Sequence, residues 1–295
     1  MKIRAIEKAD KEKILQAFKP ILQGWDYLPD IIDSWFADTT KLVTQVACAE
    51  DDEFVAMIQI EEFAPKRWFS RGLRANPRAD RMLVGKAIVR LIAELEKIMH
   101  QRNAISVSYR TLETFKESIN LAGKNGFHDK MRFAHKWHDL DGLQVSNHAE
   151  FEDFTLDFDI SDFVEFLRKN QTFQDVQEHF FTWHEIRVLN LEDVQKAKER
   201  RLAFVQKSQD EITSVALFYH VPEIKYLFLS IIEGDNEFIR KAFNFGVQKA
   251  RELHCVKVGM IHPNVEELSR RQKILGLEKG HVHSILFHKQ YRSEA

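Results

Sequence analysis

The sequence has few of the features that mark several large protein classes. It contains 2 cysteines, Cys48 and Cys255, far apart in a chain of 295 residues, which excludes a disulfide scaffold and is typical of a reducing compartment. No apolar run approaches the ~18 residues that a membrane-spanning helix needs, and the start lacks the apolar segment of a secretion signal. Glycine and proline number only 11 and 6, so a collagen-like chain is excluded. We therefore expect a cytoplasmic protein with no membrane partner.

Charge of one sign is also lacking. The formal net charge is −2, which argues against nucleic acid as the main partner. Hydrophobic residues make up 44% of the chain and charged residues 30%, the usual mixture of a globular protein. At ~100–200 residues per domain, the length predicts two domains. The oligomeric state stays open.

The apolar pattern predicts one order of elements twice: three strands, a long helix, a strand, a helix and a strand. In the first half these are strands 42–48, 53–63 and 67–75, helix 83–100, strand 104–109, helix 113–124 and strand 131–138. In the second half they are strands 201–207, 211–221 and 224–232, helix 236–254, strand 256–261, helix 265–274 and strand 281–288. Further helices are predicted at 11–23, 29–37, 161–169 and 173–181.

The two halves overlie each other at a nearly constant offset. Gly126-Phe127 and Gly276-Leu277 stand 150 residues apart (276 − 126), and the chain enters the strands after the long helices at Ala104 and at about Cys255, 151 residues apart (255 − 104). Residues 141–159 are acidic and typical of a loop, so we place the boundary there, with domains at 1–142 and 143–295. The fold class that this predicts is α+β, with two duplicated domains.

A basic cluster marks the junction between the third strand and the long helix. Asp80 is the only acid among its 8 basic residues, which are Lys66, Arg67, Arg71, Arg74, Arg78, Arg81, Lys86 and Arg90. The first amides of a helix that begins near Leu83 favour an anion. One interpretation is therefore a site for a phosphate-bearing small molecule, and the other is a solvated basic face.

The spacing within this junction resembles the acetyl-CoA motif of the GNAT N-acetyltransferases. The matching residues are Gly72-Leu73-Arg74-Ala75-Asn76-Pro77 and, after a short loop, Val84-Gly85-Lys86-Ala87. The resemblance implies tandem GNAT-like domains, each a mixed and mostly antiparallel sheet flanked by helices, with acetyl-CoA as co-substrate and no metal. It places cofactor contacts on Leu73, Arg74 and Ala75 of the strand, and on Asp80, Arg81, Met82, Leu83, Val84, Gly85 and Lys86 of the loop and helix start.

Three positions depart from the family pattern. Asp80 stands where the family has Arg or Gln, and Leu83 replaces its first glycine. Ala122 occupies the place of the tyrosine that often protonates the departing thiolate, four residues before Gly126. In the second half no glycine loop precedes Asn236, so that half resembles a degenerate GNAT copy.

A closer resemblance, to the histidine N-acetyltransferase group, rests on Asp26-Tyr27-Leu28-Pro29, Trp35, Gly72-Leu73-Arg74 and Pro77. It implies direct acetyl transfer, in a ternary complex, to a small-molecule amine, with the α-amine of a free amino acid preferred. Asp26 and Tyr27 then fall in the segment that lines the acceptor site. Arg71 is a candidate for gripping the acceptor's carboxylate, because guanidinium binds carboxylate in a bidentate manner.

Amine acylation needs a base for the amine and an acid for the thiolate. Glu62, and after it Glu61, is the candidate base on the neighbouring strand, and Tyr109 is the candidate acid in place of Ala122. The alternatives are a solvated strand end for Glu62 and ordinary packing for Tyr109.

Other readings remain open. A metal site is not expected, since His135 and His138 face opposite sides of a strand, and His281 and His283 have no third ligand nearby in sequence. The rival functions are a non-catalytic protein that binds acyl-CoA or a partner, and an acetyltransferase for peptide or protein N-termini. A third possibility is that neither half binds coenzyme A.

Overall fold

The computed structural model describes residues 1–22, 32–36, 40–50, 52–143, 154–182 and 186–292. The chain packs into two compact units that are each discontinuous in sequence. The first comprises Met1–Arg110, Glu117–Lys130 and Leu286–Ala295, and the second comprises Thr111–Lys116 and Met131–Ile285. No helix in the described ranges is long and apolar enough to cross a membrane.

The elements of the first half follow the predicted order. They are β1 (Lys2–Ala5), α1 (Lys11–Leu22), β2 (Leu42–Cys48), β3 (Phe54–Ala64), β4 (Arg67–Ala75), α2 (Arg81–Gln101), β5 (Ser106–Leu112), α3 (Lys116–Lys124) and β6 (His128–Asp139), with a short 3-10 turn at Ile32–Phe36.

The second half begins with three additional elements, two helices and a strand, and from Ile186 onward it repeats the order of strands and α-helices of the first half. Its elements are α4 (Ile160–Lys169), α5 (Gln171–Asp175), β7 (His179–Phe181), β8 (Ile186–Val188), α6 (Leu191–Glu199), β9 (Ala203–Ser208), β10 (Glu211–Val221), β11 (Tyr226–Glu233), α7 (Asn236–Glu252), β12 (Lys257–His262), α8 (Val265–Ile274) and β13 (Val282–Gln290).

The sheet of the first unit runs in the order β1-β2-β3-β4-β5 and takes in the second half of β13. From β1 to β4 the neighbouring strands pair antiparallel, and β4 pairs with β5 in parallel. β3 is buried from Phe54 to Ile60 because both faces are covered. Leu91, Leu95 and Met99 of α2 pack on one face, and the cluster around Phe18 of α1 packs on the other.

The sheet of the second unit runs in the order β6-β12-β11-β10-β9, with β11 and β12 parallel. α7 buries seven residues, among them Phe238, Phe243 and Val247. They join one apolar cluster with Phe204 and Phe218 of the sheet, so the high phenylalanine content is core in this unit. The predicted α+β class, with mixed, mostly antiparallel sheets flanked by helices, is therefore confirmed.

The predicted helix at 173–181 is wrong. The helix there ends at Asp175, and His179–Phe181 is a strand paired with Ile186–Val188. Gln177 and Glu178 have φ angles of 50° and 58°, and two consecutive left-handed residues end a right-handed helix. The predicted helix at 29–37 is a 3-10 turn over Ile32–Phe36, and its other residues lie outside the described ones.

Candidate active site

The first unit opens between β4 and β5. The two strands pair over four residues, Arg67–Ser70 with Ser106–Tyr109, whereas β4 continues to Ala75 and β5 to Leu112. At the point of divergence β4 is bulged, since Ile60 pairs with Ser70 and Gln59 with Gly72, leaving Arg71 as the extra residue. Gly72 has φ +144°, a conformation that favours glycine. The predicted motif strand therefore turns away from its neighbour at Arg71-Gly72.

A short loop carries the chain from β4 into α2, and Asn76 holds it in place. The buried Asn76 side chain donates to the carbonyl of Phe54 at 2.9 Å, and its oxygen accepts from the amide of Arg78 at 3.0 Å. Asn76 therefore fixes the shape of this loop, a structural role that the sequence analysis did not predict. The usual preference of asparagine for turns was the available signal.

Asp80 caps the N-terminus of α2. Its carboxylate accepts from the amides of Met82 at 2.9 Å and Leu83 at 3.0 Å. These amides belong to the positions at which the family resemblance places pyrophosphate contacts. An anion of the chain itself therefore occupies part of the helix terminus, as N-cap aspartates commonly do.

Four of the predicted contacts on α2 are accessible, whereas Leu83 and Val84 are partly buried against the core. Arg81, Met82, Gly85 and Lys86 are exposed, and Met82 retains 74% of its surface. A Cβ added at Gly85 would meet nothing within 4 Å, so the space next to this first turn is open. On the strand, Leu73 is partly buried against the core below α2.

The basic side chains beside the opening have partners. Arg71 forms an ion pair with Glu61 on the adjacent strand. The Arg74 guanidinium lies 5.7 Å from the ring centroid of Trp35, a cation–π distance. The structure thus places Arg71 and Arg74 at the motif strand, with their charges already engaged.

Glu62 stabilises the turn of the β3–β4 hairpin. Its carboxylate accepts from the amide of Lys66 at 2.6 Å, and the residue pairs with Trp68 in the sheet. Lys66 and Trp68 both precede Arg71 in the sequence and lie at the turn end of the hairpin, away from the Gly72–Ala75 segment. The structure does not bring Glu62 to the motif residues.

Tyr109 lies at the last paired position of β5, where the strands diverge. Its hydroxyl donates to the carbonyl of Ser118 on α3 at 2.6 Å, and its ring stacks on Phe287 with centroids 5.3 Å apart. Burial raises the pKa of the Tyr109 phenol above its usual value. Ala122, also on α3, is buried. Asp26 and Tyr27 lie outside the described residues.

The second unit has an opening of the same kind, which the sequence reading missed. β11 and β12 pair over Tyr226–Leu229 and Lys257–Met260, and then continue to Glu233 and His262. Glu233, His262 and Arg271 lie at this end, and all three are largely buried. The sequence signal was available: parallel strands that end in Glu and His place those side chains at one edge of a sheet.

Two titratable groups in this second opening are perturbed. Burial, reinforced by Arg271, lowers the pKa of His262 to about 3. Burial raises the pKa of Glu233, although Arg271 and a hydrogen bond from Asn170 act in the other direction. Within the described ranges, no three His, Cys, Asp or Glu side chains are grouped to hold a metal ion.

No protein-family model and no curated protein matches the sequence. Solved structures do match over the whole chain. A GCN5-related N-acetyltransferase from Sphaerobacter thermophilus superposes with a TM-score of 0.65 at 15% identity, covering 100% of this chain and 96% of that one. A tandem GNAT protein from the clavulanic acid biosynthesis pathway superposes with a TM-score of 0.60 at 14% identity, covering 99% of both chains.

A third match is part of a larger protein. The glucosamine N-acetyltransferase region of a fungal multi-domain GH3 β-N-acetylglucosaminidase superposes with a TM-score of 0.64 at 11% identity, covering 98% of this chain and 38% of that one. At these identities the likeness concerns the fold. The chain therefore has the fold of tandem GNAT proteins along its full length.

Proposed function

We propose that the protein is an acyltransferase that moves an acetyl group from acetyl-CoA to a primary amine. The supporting observation is the opening of the first unit, where a bulged β4 parts from β5 and leads through a short loop into the N-terminus of α2, in a chain with the tandem GNAT fold. The proposed acceptor is the α-amine of a free amino acid or a similar small metabolite, as in the histidine N-acetyltransferase group. Transfer would be direct, within a ternary complex.

The residues around this opening suit acetyl-CoA, which would supply the acetyl group as a reactive thioester. The backbone of Leu73, Arg74 and Ala75 borders the space that the diverging strands leave. The first turn of α2, from Arg81 to Lys86, offers amides and open space at Gly85 for the pyrophosphate. The Asp80 carboxylate would have to release the amides of Met82 and Leu83.

The two side chains proposed for proton transfer are both engaged in other hydrogen bonds. Glu62 remains the proposed base; because it lies away from the motif residues, it would act through water, and it would give up its bond to the Lys66 amide. Tyr109 remains the proposed acid, and its proton now points to the Ser118 carbonyl. A strand amide close to Leu73–Ala75 would polarise the thioester carbonyl, an effect often worth ~3 kcal/mol.

A second candidate function is acyl-CoA binding without turnover. The engaged Tyr109 hydroxyl favours it, because its proton points to the Ser118 carbonyl and not to a departing thiolate. For both candidates we propose a cytoplasmic location and a small-molecule ligand, and the free, buried thiols of Cys48 and Cys255 suit a reducing compartment.

Binding is tested first, by thermal unfolding with acetyl-CoA and with ATP as the anion control. A ligand at ~100 times its Kd stabilises the folded protein by ~2.7 kcal/mol. We expect a shift with acetyl-CoA and none with ATP. Asp80→Asn should bind acetyl-CoA about tenfold more tightly, because a neutral side chain gives up the amides of Met82 and Leu83 more readily than a carboxylate and does not repel a phosphate. Lack of any shift in both proteins would contradict the proposal.

Turnover is tested next, by thiol release with a panel of free amino acids and of peptides with free N-termini. Release that depends on a free amino acid supports the proposed acceptor. Release with peptides alone would assign the protein N-terminal alternative. A thermal shift without release on any amine would establish the binding function and reject the enzyme.

A further inference from the structure

The second unit contains a cavity at the diverging ends of β11 and β12. The space between its walls is about 370 Å³ when the open solvent at its mouth is counted, so the enclosed part is much smaller. Its walls are mostly apolar and include Leu167, Phe173, Phe180, Ile231 and Ile261. Pockets for small molecules usually combine such walls with a few convergent polar groups.

The polar groups of this cavity include two without partners. Ser230 is 7% exposed and His262 is 3% exposed, yet the Ser230 hydroxyl and the Nε2 atom of His262 have no hydrogen-bond partner among the described residues. A buried polar atom without a partner costs ~1–3 kcal/mol. Both residues line the cavity, so a ligand with a polar head could satisfy them.

Glu233 completes the polar end. Its Oε1 atom lies 3.8 Å from Nε2 of His262, too far for a hydrogen bond between the two. A single nitrogen placed between them can lie ~2.8 Å from each atom. The Nδ1 atom of His262 is 3.0 Å from both the carbonyl oxygen and the amide nitrogen of Asn264, so Nε2 is an acceptor or a donor according to the tautomer. An ammonium group can donate to Nε2 in the tautomer in which Nε2 is the acceptor, and a neutral amine can accept from it in the other.

The charges also favour a cationic head. Arg271 is held more closely by Glu267, at 2.7 Å from its Nε atom, than by Glu233, at 3.4 Å from its Nη2 atom. Glu267 also pairs with Arg270 at 2.6 Å. Glu233 therefore shares Arg271 with Glu267, and it also accepts from Asn170, which donates to Oε2 at 3.1 Å.

We propose that this cavity binds a small primary amine with an apolar body, whose nitrogen lies between Glu233 and His262 and close to the Ser230 hydroxyl. The connection from β11 to α7 is too short for a pyrophosphate loop, since only Gly234 and the N-cap Asp235 separate Glu233 from Asn236. The ligand is therefore the amine alone. This site is independent of acetyl-CoA binding by the first unit.

The test uses butylamine, butanol and butyrate as probes of equal length, added to the full chain without acetyl-CoA. Methyl-labelled Ile231 and Ile261 report binding by NMR, because both residues line the cavity. We expect saturable shifts with butylamine, weaker ones with butanol and none with butyrate. Absence of saturable shifts, or tighter binding of butyrate or butanol than of butylamine, would overturn the proposal.

Three variants locate the head group. Glu233→Gln should weaken butylamine binding at least tenfold, and Ser230→Ala about threefold, in line with the loss of a charged and of a neutral hydrogen bond. Ser230→Ala keeps the test valid if Glu233→Gln unfolds, because the Ser230 hydroxyl has no partner to lose. Glu113→Gln is the matched control, since Glu113 bonds His283 and is not a cavity residue. Unchanged binding in Ser230→Ala and in a folded Glu233→Gln would reject the site.

Discussion

Single charged residues differ in how easily they can change partners. In the first unit the Arg71–Glu61 pair and the Asp80 cap are partly or fully exposed, so breaking each costs ~1 kcal/mol. A ligand with two phosphates can replace such contacts. In the second unit Glu233, His262 and Arg271 are buried, and removing one partner there leaves an uncompensated group. The first opening can therefore adapt to a charged ligand, whereas the second is preorganised.

His262 gives a prediction on pH. Its pKa is about 3 in the folded protein and ~6.5 when unfolded, so only the unfolded chain takes up this proton between these values. The stabilising contribution is complete above pH ~6.5 and is lost as pH falls toward 3, by at most ~1.4 kcal/mol per pH unit. We expect His262→Asn to lose less stability than the parent protein between pH ~6.5 and ~4.5.

Urea unfolding at several pH values measures this difference. Both proteins should carry Glu233→Gln, because burial raises the pKa of Glu233 and its titration would oppose that of His262. Parallel stability curves with and without His262 would show that this histidine titrates normally in the folded state.

At the scale of elements, the sequence predicted β2, β3, β4 and the long helix because their apolar periods are unambiguous. The helix at 173–181 failed because two left-handed residues, Gln177 and Glu178, carry no glycine signal. Asp80 had the residue type of an N-cap, yet the sequence could not show that its carboxylate takes the Met82 and Leu83 amides. The sequence does show that β11 and β12 end in Glu233 and His262, but it does not fix the register of the two strands that brings these side chains together.

The first turn of α2 provides a prediction that separates stability from binding. Gly85→Ala should stabilise the protein by up to ~1 kcal/mol, because alanine favours a helix and its Cβ would meet nothing within 4 Å. If the first turn holds pyrophosphate, the same methyl group should weaken acetyl-CoA binding. Urea unfolding and calorimetric titration measure the two effects.

Val89→Ala is the matched control on the same helix, since Val89 is exposed and is not a predicted cofactor contact, and the change also favours a helix. Equal acetyl-CoA affinity in Gly85→Ala and the parent protein would show that the phosphates lie elsewhere.

At the scale of the molecule, the two compact units do not coincide with the two copies proposed from the sequence. We keep 142/143 as the proposed boundary between the two GNAT-like copies. The first compact unit, however, includes the last residues of the chain. There Phe287 stacks on Tyr109, the Lys289 ammonium contacts Glu96 at 2.7 Å, and the Tyr291 amide donates to Ile105 at 2.8 Å. A duplication read from sequence thus does not by itself define two separable folding units.

A fragment of residues 1–142 should therefore fail to fold cooperatively, because it lacks the strand that covers Tyr109 and β5. Loss of a buried aromatic contact such as that of Phe287 costs ~3–5 kcal/mol, a large share of a domain's stability. Addition of a synthetic peptide of residues 282–292 should restore a cooperative thermal transition by circular dichroism. A peptide with Phe287→Ala and Lys289→Ala should restore much less, since it removes the ring stack and the ion pair with Glu96. A fragment that melts cooperatively without any peptide would show that β13 is dispensable to the first unit, and that the boundary at 142/143 also separates two folding units.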